Sequence, residues 1–471
     1  MNSDTWMGAI MNLKTLRPVL LLVFAAGCDA ILDVKPINEI DEDQAIISPA
    51  TARAAVAGMY DALQDGSYYG GEVVFFGDLS GDDVEHTGTF TSYRQIDLND
   101  ITADNASIEG MWDALYRVVG RANIVIARVP SVPGLTAAER DQMLGEAHLI
   151  RALTYHHLVK FWGDSNPTGM GVPLVLVPPP SIPAAATITR ATTGEVYTQI
   201  VSDLTQAEAL MSVTTATSTG SIGAVLSLRA RVLLYQQNWA GAEAAAEAVV
   251  AMGYDLATDY NDLFDADGID TPEDIFRVTF TATEFCLEGY YYRHNDAGGR
   301  REITPTQNFA LVYDAGYTGA PTSYTPTDLR GQRNISFTDS LDGLTIYGSK
   351  WPTGVGAEDI HVIRFAEVLL IKAEAEARQN KLGEAEASLT PVRVRAGLAA
   401  AGIDVMTQAN AIATILQERR VELAFEGDRW PDLVRTGRAV AVMSIPAFQK
   451  LYPIPLSELD VAPGLVQNPG Y

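Results

Sequence analysis

From Ala50 onward apolar positions recur at three- and four-residue spacing. Ala54, Ala55, Gly58, Met59 and Leu63 share one face, which predicts a helix. The same period resumes at Met111 and runs through Val129. A third helix starts after Thr136, where Thr136 and Glu139 form a capping-box pattern, and continues to Trp162. Between the first two helices the period is lost. Residues 66–108 are rich in Gly, Asp, Ser and Thr and predict a long loop region with short strands at most. Long loops in a compact domain usually carry function. The stretch from Asn166 to Pro183 is proline-rich and reads as extended.

An internal repeat sets the architecture. Residues 222–252 contain Gln237-Asn238-Trp239-Ala240-Gly241-Ala242-Glu243-Ala244-Ala245, and residues 365–396 contain Gln379-Asn380-Lys381-Leu382-Gly383-Glu384-Ala385-Glu386-Ala387. Each reads as a helix, a tight turn carrying glycine, and an alanine-rich second helix. Small residues let such helices approach closely, as in tetratricopeptide-type hairpins. Copies this far apart do not make a continuous solenoid; they predict two hairpins of a scattered helical frame. The intervening insert, about 255–360, is rich in Gly, Tyr, Thr and Pro and predicts loops and small sheets. The fold class is therefore mainly α, a frame of tetratricopeptide-like hairpins with a loop-rich insert carrying small β elements.

The N-terminus carries a different pattern. Lys14 and Arg17 precede the apolar run Val19–Ala26, and the segment ends Ala25-Ala26-Gly27-Cys28. This is a signal peptide over 1–27 with a lipobox, so that Cys28 is lipidated and begins the mature chain. Alanine three residues before the cysteine departs from the commonest pattern, and a plain secretory signal is the alternative. Residues 28–48 read as a tether and 49–471 as a single helical domain with its insert. Cys286 is then left without a disulfide partner and is expected to be a buried thiol. Elsewhere no apolar run is long enough to span a membrane.

Composition narrows the function classes. Hydrophobic residues are 47% and charged residues 20%, a globular balance, while the net charge of −26 argues against a nucleic-acid binder. Glu418, Arg419, Glu422, Glu426, Arg429 and Asp432 lie at helical spacing among aromatics. That pattern predicts buried ion pairs rather than the free carboxylate pair a glycosidase needs. The same holds for Glu146, Arg151 and Tyr155. His156 and His157 point about 100° apart on a helix and cannot share a metal ion. Asp265–Asp270 resembles part of a calcium loop, but its glycine comes too early and no bidentate Glu follows. No catalytic motif, cofactor or metal site is expected, and the chain reads as a binder, not an enzyme.

Several segments match one family in order. Cys28-Asp29-Ala30-Ile31-Leu32-Asp33-Val34-Lys35-Pro36 opens the series. Trp112, Tyr116, Asn123, Glu146, Arg151, Tyr155 and Trp162-Gly163-Asp164 follow, then Gly171-Val172-Pro173-Leu174. Arg364-Phe365-Ala366-Glu367, Glu426-Gly427-Asp428-Arg429-Trp430 and Leu451-Tyr452-Pro453-Ile454-Pro455 complete the set. The chain resembles the SusD/RagB family of outer-membrane nutrient-binding lipoproteins. The resemblance implies a surface-facing lipoprotein that captures oligosaccharides, glycopeptides or peptides. It also implies delivery to a partner TonB-dependent β-barrel transporter of the SusC type. A helical-repeat scaffold binding only protein partners is the alternative. Asp460-Val461-Ala462-Pro463 departs from the family's usual spacing, and the insert gives no specificity.

A sugar site needs aromatic faces for C–H stacking and polar side chains around them. Two loop clusters fit. One contains Asp82, Asp83, Tyr93 and Arg94. The other contains Tyr290, Tyr291, Tyr292, Arg293 and Asn295, with Tyr347 and Trp351 further along. If 290–292 is a strand, neighbouring rings alternate sides and at least one must be exposed. Asp83, Tyr93, Arg94, Tyr291, Tyr292 and Trp351 are the expected ligand contacts.

Overall fold

The computed structural model describes residues 46–178, 187–264, 270–281, 283–340, 343–354 and 356–471. The signal segment, Cys28, the tether through Ala45, the end of the proline-rich stretch and most of Asp265–Asp270 lie outside the described residues. Ser48 to Tyr471 forms one unit.

Helix α1 (Pro49–Asp61) begins on a Ser48–Thr51 capping box. It is followed by α2 (Glu72–Leu79), β1 (Val84–His86) and α3 (Thr91–Asp97). The region expected to be loop thus holds two short helices. In α2 everything from Val73 to Leu79 is buried, so no polar face marks it as helical in the sequence. Next come α4 (Ala106–Arg128), α5 (Ala137–Trp162) and α6 (Thr193–Leu210), with α5 packed against both neighbours. The Thr136–Glu139 box caps α5 as expected. Every residue from Leu149 to Trp162 is buried, including His156 and His157. The His157 ring nitrogens meet Tyr68 at 2.9 Å and Tyr69 at 3.3 Å, so this is a core histidine.

The first repeat forms α7 (Ile222–Tyr235) and α8 (Trp239–Val250). The insert contributes β2 (Asp274–Val278), α9 (Glu288–Tyr292), β3 (Ile303–Pro305), α10 (Gln307–Tyr313), α11 (Leu329–Asn334), β4 (Ile335–Ser340), β5 (Gly343–Gly348) and β6 (Ile360–Arg364). The second repeat is α12 (Phe365–Arg378) and α13 (Leu382–Arg395), followed by α14 (Gln408–Glu422), α15 (Arg429–Arg435), α16 (Ala439–Met443) and α17 (Leu456–Val461). Among the described residues the strands pair as three two-stranded antiparallel sheets, β1–β3, β2–β6 and β4–β5. The β2–β6 pair clips the two ends of the insert together. No described helix is long and apolar enough to cross a membrane.

The two repeats are not scattered. α8 packs on α12, and Gln379 and Lys381 of the second turn both bond Glu243 of α8, Gln379 Nε2 at 2.6 Å. Nor do the glycines make the turns. Gly241 and Gly383 fall inside the second helices, and the left-handed residues are Gln237 (φ 58°) and Asn380 (φ 61°).

The charged helix pattern resolves into a buried network. Arg364 donates to Glu273 at 2.7 Å, to Glu422 at 2.6 Å and to Glu426 at 2.9 Å. Arg395 joins Glu273 and Glu422 from α13, and Arg330 reaches Glu418 at 2.6 Å and Glu422 at 2.9 Å. Arg419 and Arg435 share Asp432, and Arg435 also pairs with Glu374 at 2.7 Å. Each guanidinium fork matches buried carboxylates, which makes charge burial tolerable and fixes the relative placement of insert and frame.

Candidate functional site

The loop from Gly81 to Arg94 is bolted to the frame before it presents anything. Asp83 is 2% exposed and accepts from Arg420 Nε at 2.6 Å, while Asp82 accepts from Arg429 at 2.6 Å and Arg420 at 2.9 Å. Burial pushes the Asp83 carboxyl up against the opposing pull of Arg420 and Arg429. Behind it, α2 touches the turn after α14. A side chain on Gly77 would meet the Gly427 carbonyl at 2.0 Å, and Phe425 (φ 64°) and Gly427 (φ 80°) both take left-handed backbone there. Asp78 accepts from the Gly427 N–H at 3.2 Å and the Tyr292 hydroxyl at 3.0 Å, locking α9 to the same point.

Strands β1 and β3 then bring the two predicted clusters together. Tyr93 and Tyr291 stand 6.1 Å apart between ring centroids. Phe75 stacks on Tyr291 at 5.2 Å, and Phe76 meets Tyr93 edge-on at 5.2 Å. The outer layer is Phe90, 5.3 Å from Tyr93 and 6.3 Å from Tyr291, and Tyr290, 5.8 Å from Tyr291. Phe90 and Tyr290 are half-buried, and Arg94 and Arg300 beside them are exposed. The Arg300 guanidinium lies 4.8 Å above the Phe90 ring and pairs with Glu302 at 2.5 Å. Under the stack, burial raises Glu72 to about 7 despite bonds from Ser67, Ser107 and Tyr93, and raises Asp97 to about 6.

The structure redistributes the expected contacts. Arg94 is exposed and makes no ion pair among the described residues. Tyr93 and Tyr291 are buried at 5% and 8% exposure, forming the floor of the stack. Asp83, Tyr292 and Trp351, at 2%, 0% and 1%, belong to the interior. Tyr292 rests against Phe425, and Trp351 meets Phe264 edge-on at 5.3 Å. The tyrosine run is a helix, α9, not a strand, so the 100° step between residues leaves Tyr290 as the ring nearest the surface. Phe90 was not among the expected contacts, although an aromatic between threonines, three residues before Tyr93 in a polar loop, is itself a signal.

A concavity of about 560 Å³ lies at the end of α9. Its wall includes Arg293, Arg333, Tyr347, Asn261, Ser336 and Ser349, with Asp259 as the carboxylate among its lining residues. Beneath α9, Cys286, Glu288 and Glu358 are buried together. Burial, with the Glu358 charge adding to it, pushes Glu288 up to about 8 against the bonds it accepts, and burial also raises the Cys286 thiol. Among the described residues, Glu243, Glu247 and Glu376 could hold a cation, but Lys372 and Lys381 already occupy these carboxylates.

Two family models match adjoining parts of the chain: the SusD family over residues 235–446, and a family described as starch-binding, associating with the outer membrane, over residues 31–234. The SusD-like protein P38 of Formosa agariphila is 25% identical, covering 97% of this chain and 99% of the relative. A SusD-like protein of Bacteroides ovatus is 23% identical over 88% of this chain and 80% of its own length. Among solved structures, a SusD superfamily protein of Bacteroides vulgatus superposes with a TM-score of 0.78 at 20% identity, covering 92% of this chain and 99% of that one. A laminarin-binding SusD-like protein superposes with a TM-score of 0.75 at 24% identity, covering 90% and 100%. At these identities the structural likeness concerns the fold.

Proposed function

The chain belongs to the SusD/RagB family, and from that premise we propose that it captures glycans at the bacterial outer membrane. SusD-like proteins are carbohydrate-binding proteins, not enzymes. The observation that supports the reading here is the convergence of two distant loops on one aromatic stack, with Phe90 and Tyr290 outermost and Arg94 and Arg300 at its edge. Pyranose rings present apolar C–H faces to such rings, and guanidinium donors reach the hydroxyls around them. Tyr93 and Tyr291 hold the outer rings in place, so little conformational freedom is lost on binding. In this proposal Cys28 carries the lipid anchor, the helical domain 49–471 faces outward, and the captured glycan passes to a TonB-dependent barrel of the SusC type.

The test is binding of the mature chain to a glycan panel, with each mixture checked for breakdown products. Binding without turnover, weakened about tenfold by Phe90→Ala or Tyr290→Ala at unchanged melting temperature, is the expected result. Release of shortened glycan, or full affinity in both variants, would overturn the reading.

A further inference from the structure

Arg293 closes α9 and lines the concavity of about 560 Å³. Its guanidinium is fixed by two backbone carbonyls. Nε donates to Ala297 O at 3.0 Å, and Nη1 donates to Trp351 O at 3.1 Å. It also sits 6.0 Å from the centre of the Tyr347 ring. Five N–H groups surround a guanidinium, so these two bonds leave one on Nη1 and two on Nη2, enough for a bidentate grip on an oxyanion. Unlike the arginines of the frame, Arg293 makes no ion pair among the described residues.

Local charge strengthens the point. Whole-chain acidic residues outnumber basic ones, 59 to 33, yet among the described residues lining this wall beside Arg293 the one carboxylate is Asp259. Asp259 is itself exposed and occupied by Asn261, whose backbone and side-chain nitrogens both donate to it at 2.9 Å. Hydroxyl and amide groups from Ser336, Ser349 and Gln332 complete a polar wall. Covering a fixed guanidinium that has no carboxylate partner removes its hydration, and an anion offsets that cost better than a neutral hydroxyl does.

We propose that this concavity is a subsite for the anionic group of an acidic glycan, a uronate carboxylate or a sulfate ester, gripped by Arg293. The proposal rests on the glycan-binding reading and names its ligand class. The oxyanion receives two parallel N–H bonds from Nη1 and Nη2, while Tyr347 and the hydroxyl groups face the sugar carrying it.

The experiment compares immobilised uronic-acid polysaccharides, sulfated galactans and neutral glucans as ligands for the mature wild-type chain, Arg293→Gln, Arg293→Lys and Phe90→Ala. The expected result is a preference for one or both acidic classes, lowered tenfold or more by Arg293→Gln and only partly retained in Arg293→Lys, which keeps the charge but loses the fork. Which acidic arm binds identifies carboxylate or sulfate. Wild-type affinity for the acidic ligand should also fall steeply between 50 and 500 mM NaCl, a readout independent of any variant's folding. Equal affinity for neutral and acidic glycans, or an acidic preference indifferent to both salt and Arg293→Gln, overturns this proposal and leaves glycan capture standing. Failure of the wild type to bind any of the three classes overturns both.

Discussion

Arg364 and Arg293 make the same kind of contact with backbone, yet they sit in opposite electrostatic settings. Arg364 is 1% exposed, bonds the Glu422 carbonyl at 2.7 Å and is ringed by Glu273, Glu422 and Glu426. Arg293 bonds two carbonyls at the lip of a concavity and meets no carboxylate among the described residues. Buried, fully matched charge in the frame is structural, because nothing remains to interact with a ligand. Fixed but unmatched charge on the insert is binding capacity held ready. The tyrosines divide in the same way: Tyr292 spends its hydroxyl on Asp78, while Tyr290 keeps a face toward solvent.

Breaking the frame should have the largest effect. Arg364→Ala removes the cation that three buried carboxylates share, leaving them to Arg395, Arg330 and Lys350, and is expected to cost about 3–5 kcal/mol in denaturant unfolding. Arg293→Gln, losing two half-buried bonds, should cost about 1–2 kcal/mol. Equal costs would erase the distinction between them. Trp351→Ala is likewise expected to cost about 3–5 kcal/mol through the cavity left beside Phe264, with glycan affinity falling no further than stability explains.

Acid sharpens the contrast next. Burial alone would raise the Glu426 carboxyl, but Arg364 and Lys350 hold it down at about 2. A depressed folded value stabilises above the unfolded carboxylate range near 4.5, and that stability is lost as pH falls from there toward 2. The loss is on the order of 3 kcal/mol for this group. Glu288 has the opposite sign. Held at about 8 by burial, it favours the folded state fully below pH 4.5 and progressively less as pH rises through 8. Glu288→Gln should therefore raise the melting temperature at pH 9 and leave it unchanged at pH 4. A pH-independent gain would contradict the buried-carboxyl account.

The smallest expected effect is at Arg94. Exposed and unpaired, it should be replaceable by Ala with no change in melting temperature and a two- to threefold loss of affinity for an acidic glycan at low salt. A larger loss would move the main anion contact from the concavity to the aromatic edge.

Much of the frame was legible because its signals are local. Thr136 and Glu139 announce the start of α5, the apolar period announces α4, and the repeat announces both hairpins. The spacing from Glu418 to Asp432 announced ion pairs correctly, since a carboxylate or guanidinium on a buried helical face must find a partner. The site was legible only in part. Its two clusters were identified, but the burial of their members was not. Asp83 looked like a free carboxylate because Arg420 and Arg429, which neutralise it, lie more than three hundred residues away in sequence. Tyr292 and Trp351 looked available because a loop-rich composition hides helix α9 and the packing of Trp351 on Phe264.

The sequence by itself determined the long frame helices, the cap that opens α5, the repeated hairpins and the need for buried charge pairing, because each depends on residues within a few turns of one another. Only the tertiary structure decided that the hairpins stack on each other through α8 and α12. It alone decided that Phe90 meets Tyr291, that Tyr290 rather than Tyr292 lies outermost, and that Arg293 meets no carboxylate among the described residues. Those outcomes depend on which distant side chains arrive at the same place, and exposure and pairing belong to that meeting rather than to any residue alone.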